Sequence, residues 1–370
     1  MILGGMNMTT QWHYSAVSRE CADDYETNVF SIISKVNEMM EIKNAKMHLI
    51  GSNPVSVMHD NHKNHGRFMV NVLKLNDYHL LEETIKWVIN SYKARGFSYQ
   101  YFDEVLETWI ESIGTYLQPK SVEQIIPVYE NMKKIKTAIE SFKDDAHQED
   151  KHINSNIQEA FINTVLAGDH ISILEMVKRE LSDRASIEHF YMHIIQPTMY
   201  EIGMKWQRGE ITVAHEHLAT SIVMRTMAFI YANYIAADST KGKIIISASH
   251  NEYHEIGARI VADFLELDGF NVTYLGANLP SEDLIQLLLD EKPDILGLSV
   301  TMPYNLDKIE QLLIKIKKMQ ELKHLKIMLG GYVFSYAKDT HKYINADKIV
   351  SDPYDALIAA NEWWRSDEAI

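Results

Sequence analysis

From Lys243 onward the chain repeats one pattern, a short unbroken apolar run followed by a longer amphipathic stretch. Ile244-Ile-Ile-Ser-Ala248, Val272-Thr-Tyr-Leu275, Ile295-Leu-Gly-Leu-Ser-Val300 and Ile327-Met-Leu329 are such runs, and Lys348-Ile-Val350 makes a fifth. Continuous apolarity means that both faces of each strand are covered, which is the situation of a parallel sheet wrapped by helices. The pattern predicts an α/β domain over residues 239–370, Rossmann-like in the flavodoxin-like sense. Ligands of such a sheet sit beyond the carboxyl ends of its strands.

The rest of the chain reads differently. From about Asp24 to Lys143 apolar residues recur at three- and four-residue spacing, as in Ile32, Ile33, Val36, Met39 and Met40, and later Val105, Trp109 and Ile113. That is the helical period, and it predicts an all-α domain over 1–150. Residues 143–152 are highly charged and suit a linker or an exposed helix end. Helical spacing resumes from about Ser155 to Ala236, with breaks at Gly168-Asp169 and Asp183, and predicts a four-helix domain over 151–238. At 370 residues, several domains are expected in any case.

Charge and cysteine usage narrow the function classes. Thirty-six basic against 51 acidic residues leave a net charge of −15, and residues 1–150 alone carry 15 Lys/Arg against 21 Asp/Glu. Such a surface repels phosphate backbones, so no direct DNA binding is expected of the N-terminal domain. The single cysteine, Cys21, forms no internal disulfide and no cysteine-based zinc site. The start lacks the basic and apolar regions of a signal peptide, and no apolar run nears the length of a membrane span. A soluble cytoplasmic protein is expected, with the few residues before Met8 read as extraneous.

Three elements fall on one edge of the predicted sheet. After the first strand comes Ser249-His-Asn-Glu-Tyr-His-Glu-Ile-Gly257, which places Glu252, His254 and Gly257 on the loop into a helix. The third strand ends in Ser299-Val-Thr301 and the fourth in Gly330-Gly331. In this order and at these separations, Glu-x-His-x-x-Gly, Ser-x-Thr and Gly-Gly resemble the motif of base-off, His-on cobalamin-binding proteins, with Glu252 where the family usually has Asp. The resemblance implies that His254 is the lower axial ligand of cobalt, a role that suits a neutral imidazole. Glu252 would hold the other ring nitrogen and raise its basicity. Gly257, Gly330 and Gly331 would let the cofactor's nucleotide tail approach the backbone, and Ser299 and Thr301 would hydrogen-bond it.

The preceding helical block adds a second signature. Trp206, nine intervening residues and then Glu216-His217, with Val213 between, resemble the cap of the adenosylcobalamin-dependent photoreceptors. That likeness implies that Trp206 packs on the adenosyl group, that Glu216 hydrogen-bonds it in the dark, and that His217 takes the upper face of cobalt after photolysis. His215 and Glu210 are neighbours without comparable warrant. The rival reading is a core tryptophan and a surface Glu-His pair, and the rival class is a corrinoid methyl carrier of a methyltransferase system, in which this cap is not expected.

The N-terminal domain leaves more open. It is rich in aromatics, among them Trp87, Tyr92, Phe97, Tyr99, Tyr101, Phe102, Trp109 and Tyr116, and it places His59, His62 and His65 three residues apart. On a helix that spacing fans the side chains out, which is poor for one ion. A haem pocket needs one histidine and an apolar cleft. A linear tetrapyrrole needs an aromatic slot with polar and cationic groups, which Asp60, His62, His65 and Arg67 can supply. A plain packed helical domain needs none of these. The layout resembles the photocobilins, which pair cobalamin with biliverdin. The expectation is therefore a homo-oligomeric, non-enzymatic photoreceptor that uses adenosylcobalamin and a bilin and signals through an unknown partner. A light-independent cobalamin or haem sensor is a further alternative.

Overall fold

The computed structural model describes residues 13–141, 156–235, 239–337 and 344–368. The charged stretch 143–152 and the residues before Met8 lie outside the described residues. The chain divides into two compact units, Met1–Asp150 with Tyr336–Thr340, and Lys151–Ser335 with His341–Ile370.

Five helices make up the described part of the first unit: α1 (Arg19–Met47), α2 (Val55–Leu75), α3 (Tyr78–Ala94), α4 (Tyr99–Tyr116) and α5 (Pro119–Ser141). Side-chain acceptors start two of them, Asp77 capping Leu80 N at 2.9 Å and Ser98 capping Tyr101 N at 3.2 Å. α1 and α2 end on His48 and Asn76 in the left-handed region, where Asn is better tolerated than most residues. The apolar stripe Ile32, Val36 and Met40 of α1 is fully buried, as are Trp109 and Ile113 of α4. α1 and α2 approach so closely that a Cβ on Gly66 would lie 2.8 Å from the Ile33 side chain.

The second unit begins with the helical block α6 (Asn156–Ala167), α7 (His170–Glu180), α8 (Arg184–Phe190), α9 (Gln196–Gln207) and α10 (Val213–Ile230). A π turn, Tyr191–Ile195, joins α8 to α9 without interruption, and a second, Tyr231–Ile235, extends α10. The block is thus four continuous rods. The breaks read from sequence are helix caps: Asp169 accepts from Ser172 N at 3.1 Å, and Asp183 and Ser186 form a reciprocal capping box.

Five parallel strands follow, β1 (Lys243–Ala248), β2 (Asn271–Tyr274), β3 (Ile295–Ser299), β4 (Lys326–Gly330) and β5 (Lys348–Ile349), in the order β2-β1-β3-β4-β5. The helices between and after them are α11 (Ile256–Leu267), α12 (Ser281–Glu291), α13 (Leu306–Lys318) and α14 (Pro353–Glu368). This is the flavodoxin-like order, and the chain reverses its direction of winding between β1 and β3. The helical block and the sheet share one core, in which Phe161, Phe190, Ile194 and Met227 cluster with Ile244, Ile246 and Phe264. Burying a side chain such as Phe264 is worth roughly 2–3 kcal/mol, so the shared core is what joins the two segments into one unit.

Candidate functional site

At the carboxyl edge of the sheet the register lines up Ala248, Ser299 and Gly330 across β1, β3 and β4. The backbone pairing continues one step further, Ser249 N to Ser299 O at 3.0 Å and Val300 N to Gly330 O at 2.9 Å. The three sequence elements therefore stand side by side. Gly331 has φ of +116°, and a Cβ there would lie 2.1 Å from Val300 O, so its glycine is required by the chain's own backbone. Gly257 differs from its expected placement. It lies in the first turn of α11 rather than in the loop, with open space where a side chain would go.

Glu252 is the centre of the arrangement. Its carboxylate is fully buried, and Oε1 accepts from His254 Nδ1 at 2.6 Å. Oε2 accepts from Thr301 N at 2.9 Å, Met302 N at 2.8 Å and Asn305 Nδ2 at 3.2 Å. From the β2 side, Asn278 N donates to Glu252 O at 3.0 Å and Asn278 Oδ1 accepts from Asn251 N at 3.0 Å. The loops after β1 and β3 thus meet on the Glu252 carboxylate, and the loop after β2 is bonded to the backbone of the same turn. Burial alone would raise the Glu252 carboxyl, but His254 and the Met302 and Thr301 N–H groups outweigh it and hold the carboxyl below its ordinary range. Asn278, Met302 and Asn305 carry no motif and were not singled out from sequence.

The His254 ring is 60% exposed, and its bond to Glu252 leaves Nε2 as the remaining donor atom. Desolvation pulls the imidazole's pKa down, yet Glu252 and then the charge of Glu216 outweigh it and hold it above its ordinary value. Glu216 belongs to the first turn of α10. In the same turn, Val213 is exposed and the His217 side chain is 75% exposed, its Nδ1 lying 3.2 Å from Glu216 Oε2. His215 is occupied otherwise: its Nδ1 meets Thr212 Oγ1 at 2.7 Å in the capping box that starts α10. Trp206, near the end of α9, is half-buried.

Two observations test whether this edge fits a corrinoid. Ser249 Oγ and His250 Nδ1 are buried without a hydrogen-bond partner, beside the β1 carboxyl end where a nucleotide tail would pass. Tyr253, Leu218, Val213, Tyr200 and Tyr332 are large apolar groups left exposed on the segments around the same edge, and Tyr200 and Tyr332 approach to 6.2 Å between ring centres. The donor set and the unsatisfied atoms fit a large ligand with a metal and a polar tail.

The helical unit distributes its candidate residues less cohesively. His62 is buried, with Nδ1 2.6 Å from Asn37 Oδ1 and Nε2 3.1 Å from Tyr101 Oη. His65 sits edge-on to Trp109 at 4.9 Å and to Tyr129 at 5.7 Å, and its Nε2 is buried without a partner. Burial lowers both imidazoles, His62 to about 3 and His65 to about 4. His59 faces Glu41 at 2.8 Å, while Asp60 is exposed and is not brought to the buried histidines. Arg67 is half-buried. Phe97, Tyr101 and Phe102 are buried and pack on Tyr92 and on one another rather than lining an open slot. Cys21 is buried and free. Among the described residues no three His, Cys, Asp or Glu side chains gather as an ion site, and no helix is long and apolar enough to cross a membrane.

Residues 242–359 match the family described as B12 binding domain, and residues 157–231 match a second family of the same description. The HTH-type transcriptional repressor CarH of Myxococcus xanthus is 28% identical over 139 residues, 37% of this chain and 45% of that protein. A dimethylamine corrinoid protein of Methanosarcina barkeri is 26% identical over 186 residues, 50% of this chain and 82% of the relative. The solved monomethylamine corrinoid protein of Methanosarcina barkeri is 20% identical, with a TM-score of 0.47, covering 57% of this chain and 97% of that one. The matched segment thus spans less than half the length of the repressor.

Proposed function

We propose that this chain, a cobalamin-binding protein through residues 157–231 and 242–359, is a light sensor that carries adenosylcobalamin between its α10 cap and the His254 loop. The carrying observation is the start of α10, where the exposed His217 stands with its Nδ1 3.2 Å from Glu216 Oε2. When bound, adenosylcobalamin supplies a light-labile cobalt–carbon bond. His254 would hold the metal through Nε2, with Glu252 fixing the proton on Nδ1. Trp206, Val213 and Glu216 would shelter the cofactor's light-labile group, Ser299, Thr301 and the orphaned Ser249 hydroxyl would serve its polar tail beside Gly330 and Gly331, and His217 would be available as a further ligand to the metal.

The test is an absorption spectrum of the adenosylcobalamin-loaded protein before and after green light. Conversion to a stable form with two histidines on cobalt, lost in His217→Ala, supports the reading. His254→Ala should give a base-off spectrum or much weaker retention, and an unchanged His-on spectrum would falsify the ligand assignment. The same photoproduct from His217→Ala as from the parent would favour the second reading, a methyl-carrying corrinoid protein. Its support is the likeness to the dimethylamine corrinoid proteins. Either role is one of carriage or signalling and requires no turnover by this chain.

The proposal extends to the helical unit as a site for a linear tetrapyrrole such as biliverdin. The supporting observation is the partnerless Nε2 of His65, buried between Trp109 and Tyr129. Co-expression with a biliverdin source should give a long-wavelength band that survives desalting, and a chain colourless in the red while carrying cobalamin would end this part of the reading. Output is proposed to run through protein contacts in the cytoplasm, in a homo-oligomer, and not through direct DNA binding by the acidic first domain.

A further inference from the structure

Two segments of the cap leave α-helical geometry, and each presents a tyrosine to α11. Tyr191, the first residue of one π turn, is fully buried, and its hydroxyl donates to Asp263 Oδ2 at 2.7 Å. Tyr231, the first residue of the other, donates to Glu266 Oε1 at 2.8 Å. π turns inside helices are rare and concentrate where function needs a side chain re-aimed. Arg259 stands between the two tyrosines. Its Nε donates to Asp263 Oδ1 at 2.9 Å, and its guanidinium lies 5.2 Å from the Tyr231 ring centre and 5.3 Å from that of Tyr274. Tyr274 completes the set, its hydroxyl donating to Glu255 Oε2 at 3.0 Å, one residue after His254.

None of this is needed to hold two surfaces together. A buried ion pair gains little over apolar side chains of the same volume, and the shared core already supplies those. What directed bonds add is register, because a shift of one helix past the other breaks them while leaving apolar contact almost unchanged.

We propose that Tyr191, Asp263 and Arg259 are positioning residues that hold the cap in a single register on α11, and thereby keep a bound corrinoid between α10 and the His254 loop. The idea rests on the cobalamin-binding reading. Tyr191→Phe removes one oxygen and little volume, and Asp263→Asn keeps the shape of the side chain.

In the full chain saturated with hydroxocobalamin at neutral pH, both variants should keep the parent's absorption spectrum, since His254 is untouched. Bound hydroxocobalamin should leave each of them about ten-fold faster than the parent, the scale of one lost hydrogen bond to a charged group. The double variant should be slower to release than the product of the two single effects implies, because the two side chains share the Tyr191–Asp263 bond, while Asp263→Asn also turns an amide N–H toward one of its two donors, Tyr191 or Arg259. Parent-like release from both single variants would overturn the proposal, as would an altered spectrum at saturation or additive effects in the double variant. Amide hydrogen exchange on the cofactor-free chain gives an independent arm. Exchange across 213–230 should quicken in both variants, and unchanged exchange there would also overturn it. A parent that takes up no hydroxocobalamin would refute the cobalamin reading instead, leaving the exchange arm to decide the register.

Discussion

His62 and Asp263 are both almost completely buried, 2% and 1% exposed, in different compact units, and their surroundings follow opposite logic. Around His62 the partners are neutral, Asn37 and Tyr101, and nearby His65 packs edge-on against Trp109 and Tyr129. The helical unit buries imidazoles that stay uncharged. Around Asp263 stand Arg259 and Tyr191, and around Glu252 stand His254, Asn305 and two backbone N–H groups. The second unit buries carboxylates and surrounds them with donors. A neutral buried group is cheap until a proton arrives, whereas a buried carboxylate is costly from the start and is retained where position matters.

Acidification should separate the two regions most strongly. A histidine lowered from 6.5 contributes stability above its unfolded value and loses it as pH falls. With His62 at about 3 and His65 at about 4, moving from about pH 7 to about pH 5 should remove on the order of 4 kcal/mol from the helical unit. The slowest-exchanging amides of 19–141 would report this, and undiminished protection at pH 5 would break the comparison.

The second unit should respond with the opposite sign. Burial raises Asp263 to about 6, against the pull of Arg259 and Tyr191, so its contribution is present below 3.8 and is lost as pH rises through 6. In the cofactor-free chain, acidification from about pH 7 to about pH 5 should return about 1 kcal/mol to this unit, and the full contribution of about 3 kcal/mol should appear only below pH 3.8. Asp263→Asn should flatten that part of the profile, measured by exchange at amides of 244–265.

A third test concerns the cofactor alone. Glu252→Ala should weaken cobalamin retention by about 10- to 100-fold, the usual range for a residue that orients a metal-binding histidine. His62→Ala should leave retention unchanged in equilibrium dialysis. Equal effects from the two would dissolve the distinction between the units. The smallest effect is expected at Tyr129→Phe, which deletes the 2.9 Å bond to Tyr25 and should cost about 1 kcal/mol in denaturant melts without moving any cobalamin band.

The strands were legible because Ile244–Ala248 and Ile295–Ser299 are buried throughout, so their apolar runs reach the sequence undiluted. The helix breaks at Asp169 and Asp183 were legible because capping is local chemistry. The meeting of Glu252 with Thr301 followed from topology, since adjacent strands of a parallel sheet deliver their loops to one edge. Asn305 and Asn278 were invisible, because an asparagine in a turn looks the same whether it holds a carboxylate, as Asn305 does, a backbone N–H, as Asn278 does, or nothing. The π turns were hidden as well, since one extra residue per turn shifts the apolar period too little to notice. Asp60 misled for a related reason: neighbours in sequence on α2 point to different sides of the helix.

Glu252 has a kinetic consequence. Its five acceptor contacts are made by the chain itself, so the His254 loop is set before any corrinoid arrives. On the cobalamin reading, capture then requires no rearrangement below the metal, and the entropy of ordering that loop is already spent on folding. The association rate is left to the upper side, to how often the first turn of α10 stands clear of the sheet edge. Cobalamins that differ only in their upper group should therefore arrive at different rates, while their lower-face spectra converge to the same His-on form.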